Sequence, residues 1–173
     1  ASRLQDVNMN AWIQSKWHFS QVCIWLKNRF VFSSGQLYHR AYEPCMVGWK
    51  QGNSAYKNPV FSNISDLWLL DKKTFADYLD AWYQKRDNLL KYIHPTQKPV
   101  QLAERAIKRS SERGDIVLDA FGGSFSTMIT CEQLGRVFRG IELDPKYVDA
   151  GITRYCQYVD NFNIIKNGES IHW

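Results

Sequence analysis

No CxxC pair occurs in this chain. Its four cysteines, Cys23, Cys45, Cys131 and Cys156, stand far apart. A zinc site built on paired thiolates is therefore not expected, and the metal expectation is none. Cys131 and Cys156 fall among apolar residues in helical patterns, so they read as reduced core thiols of a cytoplasmic protein. Long apolar runs are missing too. None approaches the roughly 18 residues that cross a bilayer as a helix, so no membrane partner is expected. The first residues lack a basic stretch followed by an apolar one, and no secretory signal is expected. There is no internal repeat and no low-complexity tract. Two nucleotide signatures are absent as well. The dinucleotide pattern G-x-G-x-x-G finds no match, and neither does the P-loop pattern G-x-x-x-x-G-K-[ST].

What is present fits a globular chain. The 173 residues suit one domain or a large piece of one. With 45% hydrophobic and 23% charged residues, the chain can bury a core. The net charge of +5 at pH 7 suits a polyanionic partner, because each phosphate contact releases counterions. Charge alone is equally compatible with a basic protein that binds nothing.

The pattern divides the chain into three parts. Residues 1–52 hold two strand candidates, Gln21–Lys27 and Pro44–Lys50, both apolar, aromatic and β-branched. A polar link, Ser33–His39, separates them. Trp12, Ile13 and Trp17 fall at helical spacing before the first strand. Residues 53–93 are weakly patterned, with Asn58-Pro59 and Ser62-Asn63 as turns. Thr74–Leu90 predicts a helix in which Phe75, Tyr78, Leu79, Trp82 and Tyr83 form a stripe. That stripe reads as a core face; the alternative is a stacking platform for bases.

The last part is the most regular. Pro99 starts a helix with Val100, Ala103, Ala106 and Ile107 on one face, and Gly114 ends it. Asp115–Ala120 is a short apolar strand. The loop Phe121-Gly122-Gly123-Ser124 follows, then a helix to Leu134 closed by Gly135. Arg136–Glu142 is the next strand. Asp144-Pro145 caps a helix through Tyr147, Ile152 and Tyr155 to Val159. Helices alternating with strands argue for a parallel sheet covered by helices.

The chemistry gathers at the ends of those strands. A glycine loop lets a ligand approach the backbone closely, and the helix behind it adds free N–H groups and a positive dipole end. Glu142 comes nineteen residues after Gly123, at the end of the next strand. A carboxylate there can accept both hydroxyls of a ribose. Asp119, ending the first strand, is placed to meet an amino or cationic group. A nucleoside-bearing cofactor fits this set. S-Adenosylmethionine, which carries no phosphate and needs no anion cradle, suits it better than NAD; the nicotinamide reading stays as an alternative.

Three motifs sharpen this. Asp119-Ala-Phe-Gly-Gly-Ser-Phe-Ser-Thr127 resembles the D-x-F-x-G-S-G-[ST]-T cofactor motif of DNA N6-adenine and N4-cytosine methyltransferases. His94-Pro-Thr-Gln-Lys-Pro99 resembles their H-P-T-x-K-P motif, and Gly140-Ile-Glu-Leu-Asp-Pro-Lys-Tyr147 their G-x-E-x-D-x-x-Y segment. Glu43–Lys50 is similar to the segment that follows the catalytic motif in the permuted, β-type members, and phage and prophage members are the nearest likeness. The likeness spans Val22 to Tyr158.

The resemblance implies an α/β fold: a Rossmann-like S-adenosylmethionine-dependent methyltransferase sheet, circularly permuted, present whole or in part. Residues 1–52 would be the strands after the catalytic motif, 53–93 a variable insert resembling a target-recognition region, and 94–160 the cofactor motifs. Gln97 and Lys98 would lie at the methionine end. Asp119, Phe121, Gly123 and Ser124 would line the cofactor, and Glu142 would hold the ribose. The implied reaction moves a methyl group to the exocyclic amino group of adenine, with cytosine second, in double-stranded DNA whose target base is flipped out. Members of this order are often homodimers.

The chain departs from the pattern twice. The family's Asp-Pro-Pro-Tyr motif does not occur, so no catalytic residue is assigned, and an N-terminal segment or a second polypeptide is expected to carry it. The second motif glycine is Phe125. Either the loop is helical by that point, or the ring narrows the pocket. Both departures keep open a degenerate methyltransferase-fold module that binds or assembles on DNA without transferring a methyl group.

Overall fold

Val22 to Leu26, the apolar centre of the first strand candidate, lie within a strand longer than the pattern outlines: β1 spans Trp17–Val31. The computed structural model describes residues 10–12, 14–31, 37, 40–56, 58–61, 64–69 and 98–173. The helix expected over Thr74–Leu90, residue Gln97 and most of the Ser33–His39 link lie outside them. The chain divides into two units, Ala1–Ala76 and Asp77–Trp173.

In the first unit, β1 pairs antiparallel with β2 (Arg40–Lys50) and parallel with β3 (Leu67–Leu69), in the order β2-β1-β3. β2 carries Pro44, opposite Ile24. An edge strand tolerates a proline because its outer N–H positions need no partner. Lys27 pairs with Glu43 and stands 5.4 Å from the centre of the Trp25 ring. Among the described residues of this unit, Cys23 and Trp68 are the buried hydrophobic ones. Residues 10–12 and 14 are helical, and the Trp12 indole packs over Gly48, where a Cβ would collide with it.

The second unit begins with α1 (Val100–Ser110). This helix ends earlier than Gly114 suggests. Ser111 turns to extended backbone, and its hydroxyl donates back to the Ile107 carbonyl at 2.7 Å. Gly114, at φ +85°, serves instead in the turn that launches β4 (Ile116–Asp119). α2 (Ser126–Leu134) follows and stops at Gly135, φ +67°, whose N–H caps it. β5 (Val137–Gly140) pairs parallel with β4 in register from Ile116↔Val137 to Asp119↔Gly140. α3 (Pro145–Val159) starts where the sequence places it: the Asp144 carboxylate accepts from Lys146 N–H, and Pro145 occupies the first turn. A hairpin closes the unit, β6 (Asn163–Lys166) against β7 (Glu169–His172), turning on Asn167-Gly168.

So β4, α2 and β5 form a parallel strand–helix–strand unit, and α1 packs on α2. Thr130, fully buried, ties these helices by donating to the carbonyls of Val100 and Ser126. Cys131 and Cys156 are free and buried. Burial pushes the Cys131 thiol up to about 11, with Arg136 opposing. Among the described residues no helix is long and apolar enough to cross a membrane, and no group of His, Cys, Asp or Glu could hold a metal ion.

The Tyr155 hydroxyl joins α3 to α2 by donating to Glu132 at 2.8 Å. Burial first, then this bond, push its pKa up to about 12 from an ordinary 10.0. The fold favours the neutral hydroxyl. Its contribution is therefore whole below about pH 10 and is lost as pH rises towards about pH 12. Tyr155→Phe is expected to flatten the alkaline stability limb across that window in urea titrations. An unchanged limb would show that the bond adds nothing.

Candidate cofactor-binding site

Parallel pairing brings the ends of β4 and β5 side by side, so the loops that follow them meet. Ile141 N–H donates to the Asp119 carbonyl at 2.9 Å, and Gly122 N–H donates to the Ile141 carbonyl at 2.8 Å. Glu142 then closes the joint. Its Oε2 accepts from Gly123 N–H at 2.7 Å, and its Oε1 accepts from Leu143 N–H at 2.9 Å and Asp144 N–H at 3.0 Å. Three backbone amides thus orient one half-buried carboxylate at the mouth of both loops. Gly123 sits at φ +54°, and a Cβ there would meet nothing nearer than the Phe121 carbonyl at 3.8 Å. Backbone conformation, not crowding, favours glycine at this point.

Asp119 turns back on its own loop. Its Oδ1 accepts from Phe121 N–H at 3.0 Å and its Oδ2 from the Thr127 hydroxyl at 2.6 Å. It braces the loop and the first turn of α2. Phe121 is 90% exposed, which rules out a core aromatic. Ser124 is buried, its hydroxyl 3.4 Å from that of Ser126. Lys98 is exposed, and its backbone carbonyl accepts from the Ser126 hydroxyl at 2.7 Å. Of the residues expected from sequence, the structure therefore joins Gly123 to Glu142 directly. Asp119 and Ser124 support the loop from within, Phe121 faces outward, and Lys98 is tied in through its backbone.

One residue that the sequence reading passed over connects these parts. Arg154, on α3, is buried, and its Nη1 donates to the Ser124 carbonyl at 2.8 Å and to the Ser126 hydroxyl at 3.2 Å. Ser126 passes the connection on to Lys98. A buried guanidinium costs several kcal/mol of lost hydration, on the order of 5, unless polar groups meet it. Here they are a carbonyl and a hydroxyl of the loop and helix start. The signal was available: Tyr147, Gly151 and Arg154 follow helical spacing on one face of α3, and an arginine in that stripe needs partners.

Phe125 resolves the second departure differently from either expectation. Its φ of +56° is left-handed, so the chain is not yet α-helical there; α2 begins at Ser126. Its ring is buried against Gly122, Gly140 and Gly151 and meets Phe138 edge to face, 5.8 Å between centres. Left-handed backbone costs a bulky residue about 1–3 kcal/mol. Burying the ring returns about 1.5–3 kcal/mol, and the aromatic pair adds about 0.5–1.5 kcal/mol. Burial offsets the strain, and the ring lies in the core under the loop.

A family model described as DNA methylase matches residues 6–153. The DNA adenine methyltransferase YhdJ of Escherichia coli (strain K12) is 51% identical over 61 residues, 35% of this chain and 21% of that protein. The type II methyltransferase M.ScaI of Streptomyces caespitosus is 34% identical over 97 residues, 56% of this chain and 30% of that protein. The chain thus spans about a fifth to a third of the length of these curated relatives. The crystal structure of the M1.HpyAVI–SAM complex is similar in fold, with a TM-score of 0.67 at 25% identity, covering 89% of this chain and 71% of that one.

Arg154→Met keeps bulk but leaves the buried Ser124 carbonyl without its donor. A loss of about 1–3 kcal/mol in urea unfolding is expected. An unchanged midpoint would mean that the guanidinium does not hold the loop.

Proposed function

The chain belongs to the N6/N4 DNA methylase family, and from that premise we propose that its second unit holds S-adenosylmethionine for methylation of the exocyclic N6 amino group of adenine in DNA. One observation carries the reading: the Glu142 carboxylate, fixed by three amides including that of Gly123, at the paired ends of two parallel strands. A carboxylate has about four lone-pair sites and these amides take three, so two vicinal hydroxyls of a ribose fit it when one amide gives way. The bare backbone of Gly123 admits a ligand close to the loop. The sequence holds neither the dinucleotide nor the P-loop signature, and this cofactor carries no phosphate.

Each residue has its share of the work. Glu142 accepts the ribose hydroxyls. Phe121, outward and flat, lines the nucleoside. Asp119 and Ser124 keep the loop in shape, and Asp119 stands at the end of β4 to meet the amino group of the methionine part. The motif resemblance assigns Gln97, outside the described residues, and Lys98 to the methionine end. The bound cofactor supplies an electrophilic methyl group on a sulfonium centre. Positioning is the contribution of this unit, because an in-line displacement gains most from fixed geometry. No Asp-Pro-Pro-Tyr occurs in this chain, and no residue of it is assigned to the amino group.

Adenine is favoured by the stretch 51% identical to an adenine methyltransferase. The amino group lies inside the duplex, so the target base has to leave the stack to be reached, and the chain's net charge of +5 suits the backbone that remains. Family membership sets aside the nicotinamide alternative. The non-catalytic alternative loses one of its two supports, since the Phe125 ring packs in the core.

Calorimetric titration with S-adenosylmethionine and with NAD tests the assignment. Heat with the methyl donor and none with NAD is expected, and Glu142→Ala is expected to weaken the donor by about 1–3 kcal/mol. Unchanged affinity in that variant would refute the ribose role.

A further inference from the structure

Phe125 stands where the turn becomes a helix. Its N–H donates to the Gly122 carbonyl at 2.7 Å, closing the turn Gly122-Gly123-Ser124, and its carbonyl accepts from Ile129 N–H at 3.2 Å, opening α2. A left-handed phenylalanine at such a hinge needs something to hold it. Three glycines leave room for its ring: Gly122 in its own turn, Gly140 at the end of β5, where the Phe138 ring crowds closer still, and Gly151 in α3. A Cβ on Gly122 would come within 2.8 Å of the ring and one on Gly140 within 3.1 Å. On Gly151 it would overlap the ring outright. Glycine is the poorest helix former after proline, yet Gly151 lies in the middle of α3. The ring explains it: only a residue without a side chain leaves room.

We propose that Phe125 is the positioning residue of the glycine loop: its ring, pegged into the notch of Gly122, Gly140 and Gly151, holds Gly123 N–H on Glu142, so that the side-chain-free position 151 of α3 sets cofactor affinity from beneath the loop. This rests on the reading that the loop and Glu142 hold S-adenosylmethionine. The peg touches Gly122, the immediate neighbour of the Gly123 amide that Glu142 accepts. Displacing the ring displaces that amide. A loop whose second glycine is replaced by a bulky residue thereby gains a side-chain lock in place of backbone freedom.

The test uses Gly151→Ala, Phe125→Leu, the double variant and Glu142→Ala. The first readout needs no ligand. Hydrogen exchange of Gly123 N–H is measured relative to Val137 and Ile141 N–H, which donate to the Asp115 and Asp119 carbonyls at the strand ends. Gly151→Ala is expected to speed Gly123 about tenfold against those amides, the loss of one hydrogen bond's protection. The second readout is S-adenosylmethionine affinity by calorimetry, expected to fall about tenfold in the same variant. The shorter side chain of Phe125→Leu clears the added methyl, so the double variant is expected to recover much of both losses. If Gly151→Ala does not fold, Phe125→Leu alone carries the comparison, with Gly123 exchange expected to rise against the two reference amides.

If melting falls while the Gly123 ratio stays constant in every folded variant, the ring is core filler and the proposal is overturned. If the ratio changes but affinity does not, while Glu142→Ala weakens binding, control of affinity is overturned and the cofactor reading survives. If the ratio changes and Glu142→Ala leaves binding intact, the peg stands and the cofactor reading fails.

Discussion

Glu142 accepts the N–H of Gly123 at 2.7 Å, and the loops after β4 and β5 meet through that bond. The bond spans nineteen residues and joins the loops after two neighbouring strands. It can form because β4 and β5 run parallel and in register to their last residues, Asp119 and Gly140. It is held because the same carboxylate accepts two further amides from its own loop. A carboxylate fixed in this way presents its charge without the entropy loss of ordering a free side chain when a ligand arrives.

Two buried groups on the far side of the loop make the arrangement durable. Arg154 reaches from α3 to the Ser124 carbonyl and the Ser126 hydroxyl, and Ser126 hands the connection to Lys98. The cofactor loop, the start of α1 and the third helix are thereby linked through one guanidinium. Phe125 fills the adjacent space, its strained backbone offset by burial against three glycines and Phe138. Polar satisfaction and packing act on the same loop from the same side, and both depend on which residues α3 presents there.

Much of this was legible in the residues. Gly135, Asp144 and Pro145 are terminal signals whose physics is local, and the ends of α2 and the start of α3 fall where they place them. The parallel pair and the meeting of Gly123 with Glu142 follow from alternation and spacing. Gly114 misled, because the Ser111 hydroxyl ends α1 first and the glycine serves the next turn. The closing hairpin turns on Asn167-Gly168, a local signal of the same kind. The conformation of Phe125 could not be read at all. It is decided by Gly140 and Gly151, residues distant in sequence whose missing side chains only a fold can bring under one ring.

The chain belongs to the N6/N4 DNA methylase family, and the joint that Glu142 closes is the seat we propose for the nucleoside of its cofactor. The most direct test follows amide resonances of the chain as S-adenosylmethionine is added. Gly123, Leu143 and Asp144, the three amides that Glu142 accepts, should shift together and saturate with one affinity, and NAD should leave them in place. Saturable shifts elsewhere, with these three amides unmoved, would contradict the account.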